Sequence, residues 1–300
     1  HQVELIKIPF KWFPLSSLKR SVALYWNLEL TELTGGEADL VICLKFPAYC
    51  INHPKKVVWL CHQHREAYDL WELVSKQIKD KKVFHNLKNF VSLIDNKSLR
   101  GCKKVFTISK NVSNRLKRFN NIDSTVVYPP IRFYDTTHKI EYNNFFFAPS
   151  RITRLKRQDL IVNAFSLLES NFKLYLAGPV DDDIFCEELK SLIIKNKLCK
   201  RVFILGEISE DEMSKYYKSC NAVIFTPFDE DYGLVTLESF YNSKAVVTTH
   251  DSGGPTEFVS NYFNGLIAEP SAKSLSKSLK LISDSNIASM YGLNAKKFIS

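Results

Sequence analysis

The stretch NAVIFTPFDEDYGLVTLESF, residues 221–240, contains the pattern that decides the fold. Residues 221–228 form a short apolar run, which predicts a strand buried on both faces. Gly233 opens the amphipathic segment 233–244, which predicts a helix. Three consecutive carboxylates, at residues 229–231, separate the strand from the helix. A strand, a polar loop and a helix in this order form the repeating unit of a parallel α/β sheet.

Strand-like and helical segments alternate on both sides of this stretch. In the second half, the predicted strands are 144–152, 171–179, 200–208, 221–228 and 245–254, and the predicted helices are 157–170, 183–198, 209–220, 233–244 and 255–261. In the first half, the predicted strands are 1–10, 38–46, 55–64, 102–109 and 124–130, with a helix at 110–119. Residues 131–144 are polar and irregular and are predicted to link the halves. The sequence therefore predicts an α/β fold of two Rossmann-like domains, residues 1–134 and 135–300, whose parallel sheets face each other across a cleft.

Composition excludes several classes of protein. A chain of 300 residues is long enough for two domains, and a hydrophobic content of 45% excludes global disorder. No apolar run approaches the ~18 residues of a membrane span. The seven cysteines are an odd number without a C-x-x-C pair, which predicts reduced thiols in a cytosolic protein.

Charge is distributed unevenly along the chain. Residues 1–140 hold 23 basic and 12 acidic side chains, a net charge of +11, whereas residues 141–300 hold 18 and 20, a net charge of −2. A basic half fits an anionic membrane, a phosphate-bearing acceptor, nucleic acid or a merely solvated surface. The Lys-rich segment 72–93 has helical spacing and fits either a helix packed on the core or one lying on an anionic membrane. No recognised nucleic-acid-binding module is present, so we expect no nucleic-acid partner.

The acidic loop lies where open parallel sheets bind ligands, beyond the carboxyl end of a strand. The helix that follows begins near Gly233 or Leu234, and its free N–H groups and dipole favour an anion such as a diphosphate. Glu238 lies about one turn into that helix on the same side. Carboxylates in the loop and the helix can accept hydrogen bonds from the hydroxyls of a sugar or a ribose.

The segment SRITRLKRQD, residues 150–159, supplies cations at the same edge of the sheet: Arg151, Arg154, Lys156 and Arg157. Arg offers a planar fork and Lys a point charge, and both suit a diphosphate. Taken alone, the segment also fits a solvated basic loop. Together with the acidic loop it predicts a site for a nucleotide-diphosphate sugar.

Several segments in the same order resemble the family 4 glycosyltransferases of the GT-B fold, in particular mannosyltransferase-like enzymes of polysaccharide or lipopolysaccharide synthesis in bacteria and archaea. Glu230-x7-Glu238 is similar to the donor motif of that family. The resemblance covers essentially the whole chain, and its other segments are FTISKNVSNRL (106–116), VVYPPI (126–131), SRITRLKRQDLIVNAF (150–165), VFILGEISEDEMSKYYKSCNAVIFTP (202–227) and HDSGGPTEFV (250–259).

The resemblance implies roles for individual residues. Arg151 and Lys156 would neutralise the diphosphate leaving group. Glu230 would hold hydroxyls of the donor sugar, and Glu238 would hold the ribose. The remaining donor contacts would come from the backbone after the acidic loop and from the strand end that borders the base: Tyr232, Gly233, Leu234 and Gly206. The family usually has Gly after the Lys, where this chain has Arg157, which either adds charge or faces solvent.

The resemblance also implies an activity. It is retaining hexosyl transfer, without a metal or other cofactor, from a nucleotide-diphosphate sugar (GDP-mannose favoured) to a glycan or lipid-linked acceptor. The enzyme would be cytoplasmic and peripheral on the inner face of the cell membrane. The family's first strand and glycine-rich loop would precede residue 1, and its C-terminal helix would follow residue 300.

Two histidines after the predicted strand 55–64 are further candidates. On a strand, His62 and His64 would share a face. The resemblance implies that strand ends of the N-terminal domain face the donor sugar and the acceptor, which makes both catalytic candidates, although a polar loop explains them equally well. With Cys61 they suggest a metal site, but a fourth ligand and the usual spacings are lacking, so we predict no metal.

Three alternatives stay open at this point. Glu230 and Glu238 could be the paired carboxylates of a glycosidase, which would leave the basic segment unexplained. The chain could be a non-catalytic nucleotide-sugar or glycan-binding module, or a truncated gene product. The acids at 181–183 and 229–231 could be the metal-binding Asp-x-Asp of the other large glycosyltransferase fold, but we expect the first group to begin the helix at residue 183.

Overall fold

The computed structural model describes residues 3–11, 14–31, 36, 38–76, 80–131 and 139–299. The chain divides into two compact units, residues 1–129 and 130–300. The boundary predicted between residues 134 and 135 lies outside the described residues and stays a prediction.

The first unit contains a parallel sheet that, over the described residues, has four strands in the order β1-β2-β3-β4. The strands are β1 (Val41–Cys43), β2 (Lys56–Leu60), β3 (Lys104–Thr107) and β4 (Thr125–Val126). The helices are α1 (Leu15–Trp26), α2 (Trp71–Ser75), α3 (Lys81–Arg100) and α4 (Lys110–Asn120). Short 3-10 turns are found at Ala48–Cys50 and Arg65–Ala67.

Two segments of the first unit differ from the sequence prediction. The predicted N-terminal strand is wrong over its described part, because residues 3–11 form no regular element and the side chains of Val3 and Leu5 are exposed. Helix α1 is absent from the prediction, although its buried residues recur at helical spacing: Leu18, Val22 and Tyr25.

Helix α3 carries a buried carboxylate in its middle. Asp80 caps the helix by accepting two backbone N–H groups of the first turn. Asp95 is fully buried, and the hydroxyls of Tyr49 and Tyr68 donate to its two carboxylate oxygens at 2.7 and 2.8 Å. Burial raises the pKa of Asp95 to about 7, against the two hydrogen bonds, which lower it.

The second unit contains a parallel sheet of six strands in the order β10-β9-β8-β5-β6-β7 over its described residues. The strands are β5 (Phe145–Pro149), β6 (Lys173–Ala177), β7 (Val202–Gly206), β8 (Ala222–Ile224), β9 (Val246–Thr249) and β10 (Gly265–Ala268). The helices are α5 (Gln158–Ser166), α6 (Asp183–Lys195), α7 (Glu210–Ser219), α8 (Leu234–Tyr241), α9 (Ala272–Ile282) and α10 (Ser285–Ile299).

Elements β5–β9 and α5–α8 correspond to the predicted elements with shortened ends. Residues 255–261, predicted as a helix, form instead the 3-10 turn Gly254–Glu257, with Pro255 near its start. Strand β10 and helices α9 and α10 lie beyond the predicted elements.

Strand β5 is buried on both faces, as predicted for a parallel sheet covered by helices. Phe146 stacks on Phe172 and meets Phe165 of α5 edge to face, with ring centroids 4.8 and 6.4 Å away. Phe147 points to the opposite face and stacks on Tyr216 of α7 at 5.1 Å. The alternation follows from the two-residue period of a strand, and it confirms the α/β fold class with parallel sheets.

The strand order reverses at β5. From β5 the chain fills the sheet through β6 to β7, then returns to the other side of β5 with β8 and continues to β9 and β10. Phe146 aligns with Ala222 and Phe147 with Val223 across the β5–β8 pair. Open parallel sheets bind ligands beyond the carboxyl ends of the strands at such a reversal. The basic segment follows β5 and the acidic loop follows β8, so the topology brings both to this edge.

None of the helices in the described ranges combines the length and the hydropathy that a bilayer crossing requires.

We expect the stability of the first unit to depend on pH through Asp95. Its folded pKa of about 7 lies above its ordinary value of 3.8, so the folded unit favours the protonated carboxyl. The resulting stabilisation is complete below about pH 4 and is lost as the pH rises through about 7. Asp95→Asn cannot ionise, so its unfolding midpoint should vary less over this interval than that of the wild type. Urea unfolding across the interval measures this.

Asp123→Asn is the matched control, because Asp123 is an exposed carboxylate of the same unit that pairs with Lys117 at 2.9 Å. It should follow the wild-type pH profile. An Asp95→Asn profile that also matches the wild type would contradict the prediction.

Candidate functional site

The loops after β5 and β8 meet through an ion pair. Lys156 Nζ lies 2.5 Å from Glu230 Oε2, and the two side chains are 12% and 24% exposed. The same Nζ lies 5.3 Å from the centre of the Phe225 ring, a distance at which a cation is attracted to the ring face. The cation implied for the diphosphate and the carboxylate implied for the sugar are therefore adjacent and partly accessible.

The backbone of the acidic loop is tied to the loop after β9. The N–H of Asp229 donates to Asp251 O at 2.9 Å, and the N–H of Glu230 donates to Ser252 O at 2.8 Å. Gly254 N–H returns a hydrogen bond to Glu230 O at 2.8 Å. Asp229 itself has a φ of 45°. These bonds fix the position from which the Glu230 side chain extends.

Gly233 stands directly before α8 and needs to be glycine for two reasons. Its φ of 84° lies in the left-handed region, and a Cβ there would come within 2.7 Å of Pro255 Cγ. Leu234, the first helical residue, is 42% exposed. The backbone at the start of α8 can therefore approach a ligand closely.

Tyr232 turns its side chain into the protein. The ring is buried and meets Phe258 edge to face, with centroids 5.5 Å apart. Burial, with a smaller effect of the negative charge of Glu257, raises the pKa of Tyr232 to about 12. This leaves its backbone, rather than its hydroxyl, as the group that fits the implied role.

Glu238 is oriented by a residue that is absent from the predicted site. The hydroxyl of Tyr217 donates to Glu238 Oε2 at 2.8 Å. The Tyr217 side chain is fully buried and meets Phe147 of β5 edge to face at 5.3 Å. Tyr217 lies within the predicted helix 209–220, and nothing in the sequence separates it there from ordinary core packing.

Gly206 ends β7 at the same edge of the sheet, two strands from β5. Its carbonyl accepts the N–H of Gly178 at 2.7 Å. Its φ is 70°, and no atom lies within 4 Å of the position of a Cβ. The surroundings of Gly206 are therefore open, as its implied role beside the base requires.

The cations of the basic segment point in different directions. Arg151 is 62% exposed and pairs with Asp181 at 2.7 Å. Arg154 pairs with Glu188 of α6 at 2.7 Å. Asp182 caps α6, which begins at residue 183, as predicted. Arg151 is open to a diphosphate, Lys156 is mostly covered and contacts Glu230, and Arg154 is directed toward α6.

Of the two possibilities considered for Arg157, the structure contradicts exposure to solvent. Its side chain is 17% exposed, so it does not face solvent. Its guanidinium is directed at protein groups, among them the carboxylate of Asp251, with Nη1 2.8 Å from Oδ2. Its φ is 54°, the left-handed conformation that glycine adopts most easily.

The two histidines do not share a strand face, because β2 ends at Leu60 where the polar residues begin. His62 is half-buried, and its Nδ1 lies 2.7 Å from Gln63 O. His64 is 3% exposed, and its ring stacks on Phe46 with centroids 5.7 Å apart. Burial, with a smaller effect of His62, lowers the pKa of His64 to about 4. Packing accounts for His64, and a catalytic role for either histidine stays a prediction.

No cluster of three or more His, Cys, Asp or Glu side chains suited to a metal ion occurs among the residues that the structure describes.

Several known proteins are similar to this chain, among them one of Methanocaldococcus jannaschii and one of Dictyostelium discoideum. Uncharacterized glycosyltransferase MJ1178 of Methanocaldococcus jannaschii is 26% identical over 197 residues, which cover 65% of this chain and 54% of that protein. Alpha-1,3/1,6-mannosyltransferase ALG2 of Dictyostelium discoideum is 24% identical over 320 residues. This alignment covers 91% of this chain and 74% of that protein. The chain thus spans about half the length of the first relative and about three quarters of the second.

Solved structures share the fold at low identity. Sucrose-phosphate synthase from Thermosynechococcus elongatus has a TM-score of 0.75 at 15% identity and covers 96% of this chain and 75% of its own. HepE from Anabaena, in complex with UDP-glucose, has a TM-score of 0.61 at 17% identity. The alignment covers 81% of this chain and 66% of the HepE chain. These likenesses confirm the GT-B fold class.

The family model described as glycosyl transferases group 1 matches residues 133–298. The match contains the basic segment after β5, the acidic loop after β8 and the whole of α8. It extends over more than half of the 300 residues, and the chain therefore belongs to the glycosyl transferases group 1 family.

Proposed function

We propose that the chain transfers a hexose, with mannose favoured, from a nucleotide-diphosphate sugar to a glycan or lipid-linked acceptor, with retention of anomeric configuration. The observation that carries the proposal is the Lys156–Glu230 pair at the strand-order reversal. It puts a cation for a leaving diphosphate beside an acceptor for sugar hydroxyls. Retention follows from the family resemblance and can be tested by proton NMR of the product anomer.

Charge stabilisation is the part of the chemistry that these residues can supply. Negative charge develops on the diphosphate as the bond to the sugar breaks, and fixed positive groups at that point lower the barrier. Lys156 and the accessible Arg151 supply side-chain charge. The N-terminus of α8 behind Gly233 adds backbone N–H groups and the positive end of the helix dipole. With these groups in place we propose no metal cofactor.

The two glutamates have different surroundings, which favours transfer over glycoside hydrolysis. Glu230 pairs with a lysine, whereas Glu238 accepts a hydrogen bond from a buried tyrosine. A glycosidase needs one carboxyl as an acid and the other as a base or nucleophile on one bond. Both surroundings are compatible with carboxylates that bind hydroxyl groups, Glu230 those of the sugar and Glu238 those of the ribose.

The donor is proposed from the relatives. ALG2 is named a mannosyltransferase, which favours GDP-mannose, whereas HepE was solved with UDP-glucose. Both donors carry a diphosphate between a ribose and a hexose. The base is therefore the feature of the donor that a binding experiment has to decide.

The acceptor side of the proposal concerns the first unit, which we propose contacts the inner face of the cell membrane from the cytoplasm. Helices α1 and α3 lie side by side, with Lys97 Nζ 4.8 Å from the Trp26 ring centre. Leu93, one turn before Lys97 on α3, is 67% exposed. A lysine beside an exposed leucine suits an anionic bilayer surface, where a lipid-linked acceptor would lie. The net charge of +11 over residues 1–140 also favours an anionic membrane surface.

Removing either member of the central pair should abolish transfer. Lys156→Ala and Glu230→Ala are each expected to lower kcat by on the order of 10²–10³-fold, because each removes a group that acts on the developing charge or fixes the sugar. Release of nucleoside diphosphate from GDP-mannose and UDP-glucose measures the rate. Lys190→Ala, which removes a lysine paired with Glu187 on α6, is the matched control and should keep the wild-type rate.

Unchanged transfer in both variants would disprove the site assignment. Binding of the donor by the wild type without any turnover would favour the non-catalytic module instead.

The donor site should bind one nucleoside diphosphate selectively and without a metal. In a thermal-shift titration with GDP, UDP and ADP, we expect one of them to stabilise the wild type equally with and without EDTA. Glu238→Gln should lose most of this shift, because an amide cannot accept hydrogen bonds from the ribose at both of its terminal atoms. Glu187→Gln, an exposed glutamate of α6, is the control and should keep it. Equal shifts for all three nucleotides, or a shift abolished by EDTA, would contradict the prediction.

Leu93→Glu should weaken membrane binding about tenfold or more, because inserting one leucine is worth ~1.5 kcal/mol or more. Co-sedimentation with phosphatidylglycerol vesicles measures binding, and phosphatidylcholine vesicles should bind poorly. Leu167→Glu is the control, since Leu167 is an exposed leucine of the second unit. Equal binding of Leu93→Glu and the wild type would reject this surface.

A further inference from the structure

We propose that Arg157 is a positioning residue, which fastens the loops after β5, β8 and β9 to one another and so holds Lys156 and Glu230 in contact. The inference rests on the proposed function and goes beyond it. It assigns a task to a position where the family resemblance leads one to expect glycine.

The side chain of Arg157 donates five hydrogen bonds, to the loop after β8, to the last residue of β9 and to the loop after β9. Nε donates to Thr226 O at 2.8 Å and Nη2 to Pro227 O at 2.7 Å, both after β8. Nη1 and Nη2 donate to the two carboxylate oxygens of Asp251, and Nη2 to Thr249 Oγ1, each at 2.8 Å. A planar fork suits this set of acceptors, and an ammonium does not.

The backbone conformation of Arg157 does not require an arginine, because glycine could form the same turn. The residue ends the 3-10 turn Arg154–Lys156 and precedes α5 with φ 54° and ψ 42°. A side chain in this conformation costs roughly 1 kcal/mol, which glycine avoids. An arginine that keeps this conformation in spite of the cost is held there by its side-chain contacts, and those contacts converge on the candidate site.

The network continues from Arg157 to both members of the ion pair. Lys156 is its chain neighbour, and Leu155 O accepts the N–H of Phe228 at 2.8 Å. Glu230 lies three residues after Pro227, and its N–H is bound by Ser252 O, next to Asp251. Both loops that carry the pair, and the loop that supports Glu230, are therefore joined through one guanidinium.

The carboxylate that receives the fork is ionised. Burial raises the pKa of Asp251, but the hydrogen bonds from Arg157 and Thr249 outweigh it, and the pKa lies below its ordinary value. The fork is thus a charge-assisted contact at neutral pH. Because the guanidinium is directed at protein groups, Arg157 acts through Lys156 and Glu230.

The test is Arg157→Gly, which removes the guanidinium and keeps a residue suited to the positive φ. We expect kcat for hexose transfer to fall by roughly 10–100-fold, because misplacement of a catalytic group by about 1 Å has an effect of this size. The Kd for the preferred nucleoside diphosphate should change by less than about threefold, since the Arg157 guanidinium is directed at protein acceptors. The kcat of Arg157→Lys should also be low, because an ammonium cannot replace the planar fork. Guanidinium chloride at low millimolar concentration should restore part of the activity of Arg157→Gly and should not raise that of Arg157→Lys.

Arg201→Ala is the matched control for a merely structural arginine. The Arg201 guanidinium also binds backbone carbonyls, those of Phe172 and Leu168, but at the amino-terminal edge of the same sheet. This variant should lose stability and keep the wild-type kcat. Asp251→Asn removes the charge that the fork binds, and it should reproduce the loss of kcat without a further loss in the double variant with Arg157→Gly.

Wild-type kcat in Arg157→Gly, while Lys156→Ala is inactive, would overturn the positioning role and leave the proposed function intact. If Lys156→Ala is fully active, the proposed function fails and this inference fails with it. If Arg157→Gly does not fold, Asp251→Asn decides the question: a wild-type kcat there overturns the proposal.

Discussion

The parallel pairing of β5 with β8 is the constraint on which the second unit depends. The two strands are 70 or more residues apart in the chain, yet Phe146 and Phe147 align with Ala222 and Val223. The pair is buried on both faces, so its register is fixed by packing. Because parallel strands end at the same edge, this pairing alone brings a basic and an acidic loop together. The ion pair, the fork of Arg157 and the start of α8 all follow from it.

Two of the three consecutive acids after β8, Asp229 and Glu230, have different surroundings. Glu230 lies against a lysine. Asp229 takes up a positive φ, and its N–H is bound by the loop after β9. Asp251 adds a fourth carboxylate nearby, and the fork of Arg157 compensates its charge. The electrostatic cost of gathering acids at one edge is thus offset within the protein, and this arrangement keeps Glu230 partly accessible.

The sequence carries the repeating features of the fold and most of the residues of the candidate site. Apolar runs of strand length and the helices between them are visible because both faces of β5 and its neighbours are buried. Glu230, Gly233 and Lys156 were predicted from charge and spacing, since loops after parallel strands share an edge. Tyr217 was not, because a buried tyrosine in a core helix has no local pattern that distinguishes it.

The failures have physical causes as well. The apolar alternation near residue 3 resembles a strand, but a strand needs a neighbour to pair with, and one sequence segment carries no information on its partner. His62 and His64 were predicted on a strand that ends at Leu60, because an alternating pattern does not mark where pairing stops. For Arg157, the sequence suggested only an added charge or exposure to solvent. Its hydrogen-bond acceptors could not be predicted, because they lie far from it in the sequence.

The two units use buried polar groups for different ends. In the first, Asp95 lies inside the core, where Tyr49 and Tyr68 donate to it and Asn120 donates in turn to the Tyr68 hydroxyl at 3.2 Å. Such a network orients helices around one centre, and its carboxyl is neutral or charged according to pH. In the second, the carboxylate of Asp251 and its partner Arg157 lie at the edge of the sheet, and the ionised form is favoured. A charge that stays fixed at the edge can hold loops against each other while a ligand with charges of its own enters and leaves, which a titrating group could not do.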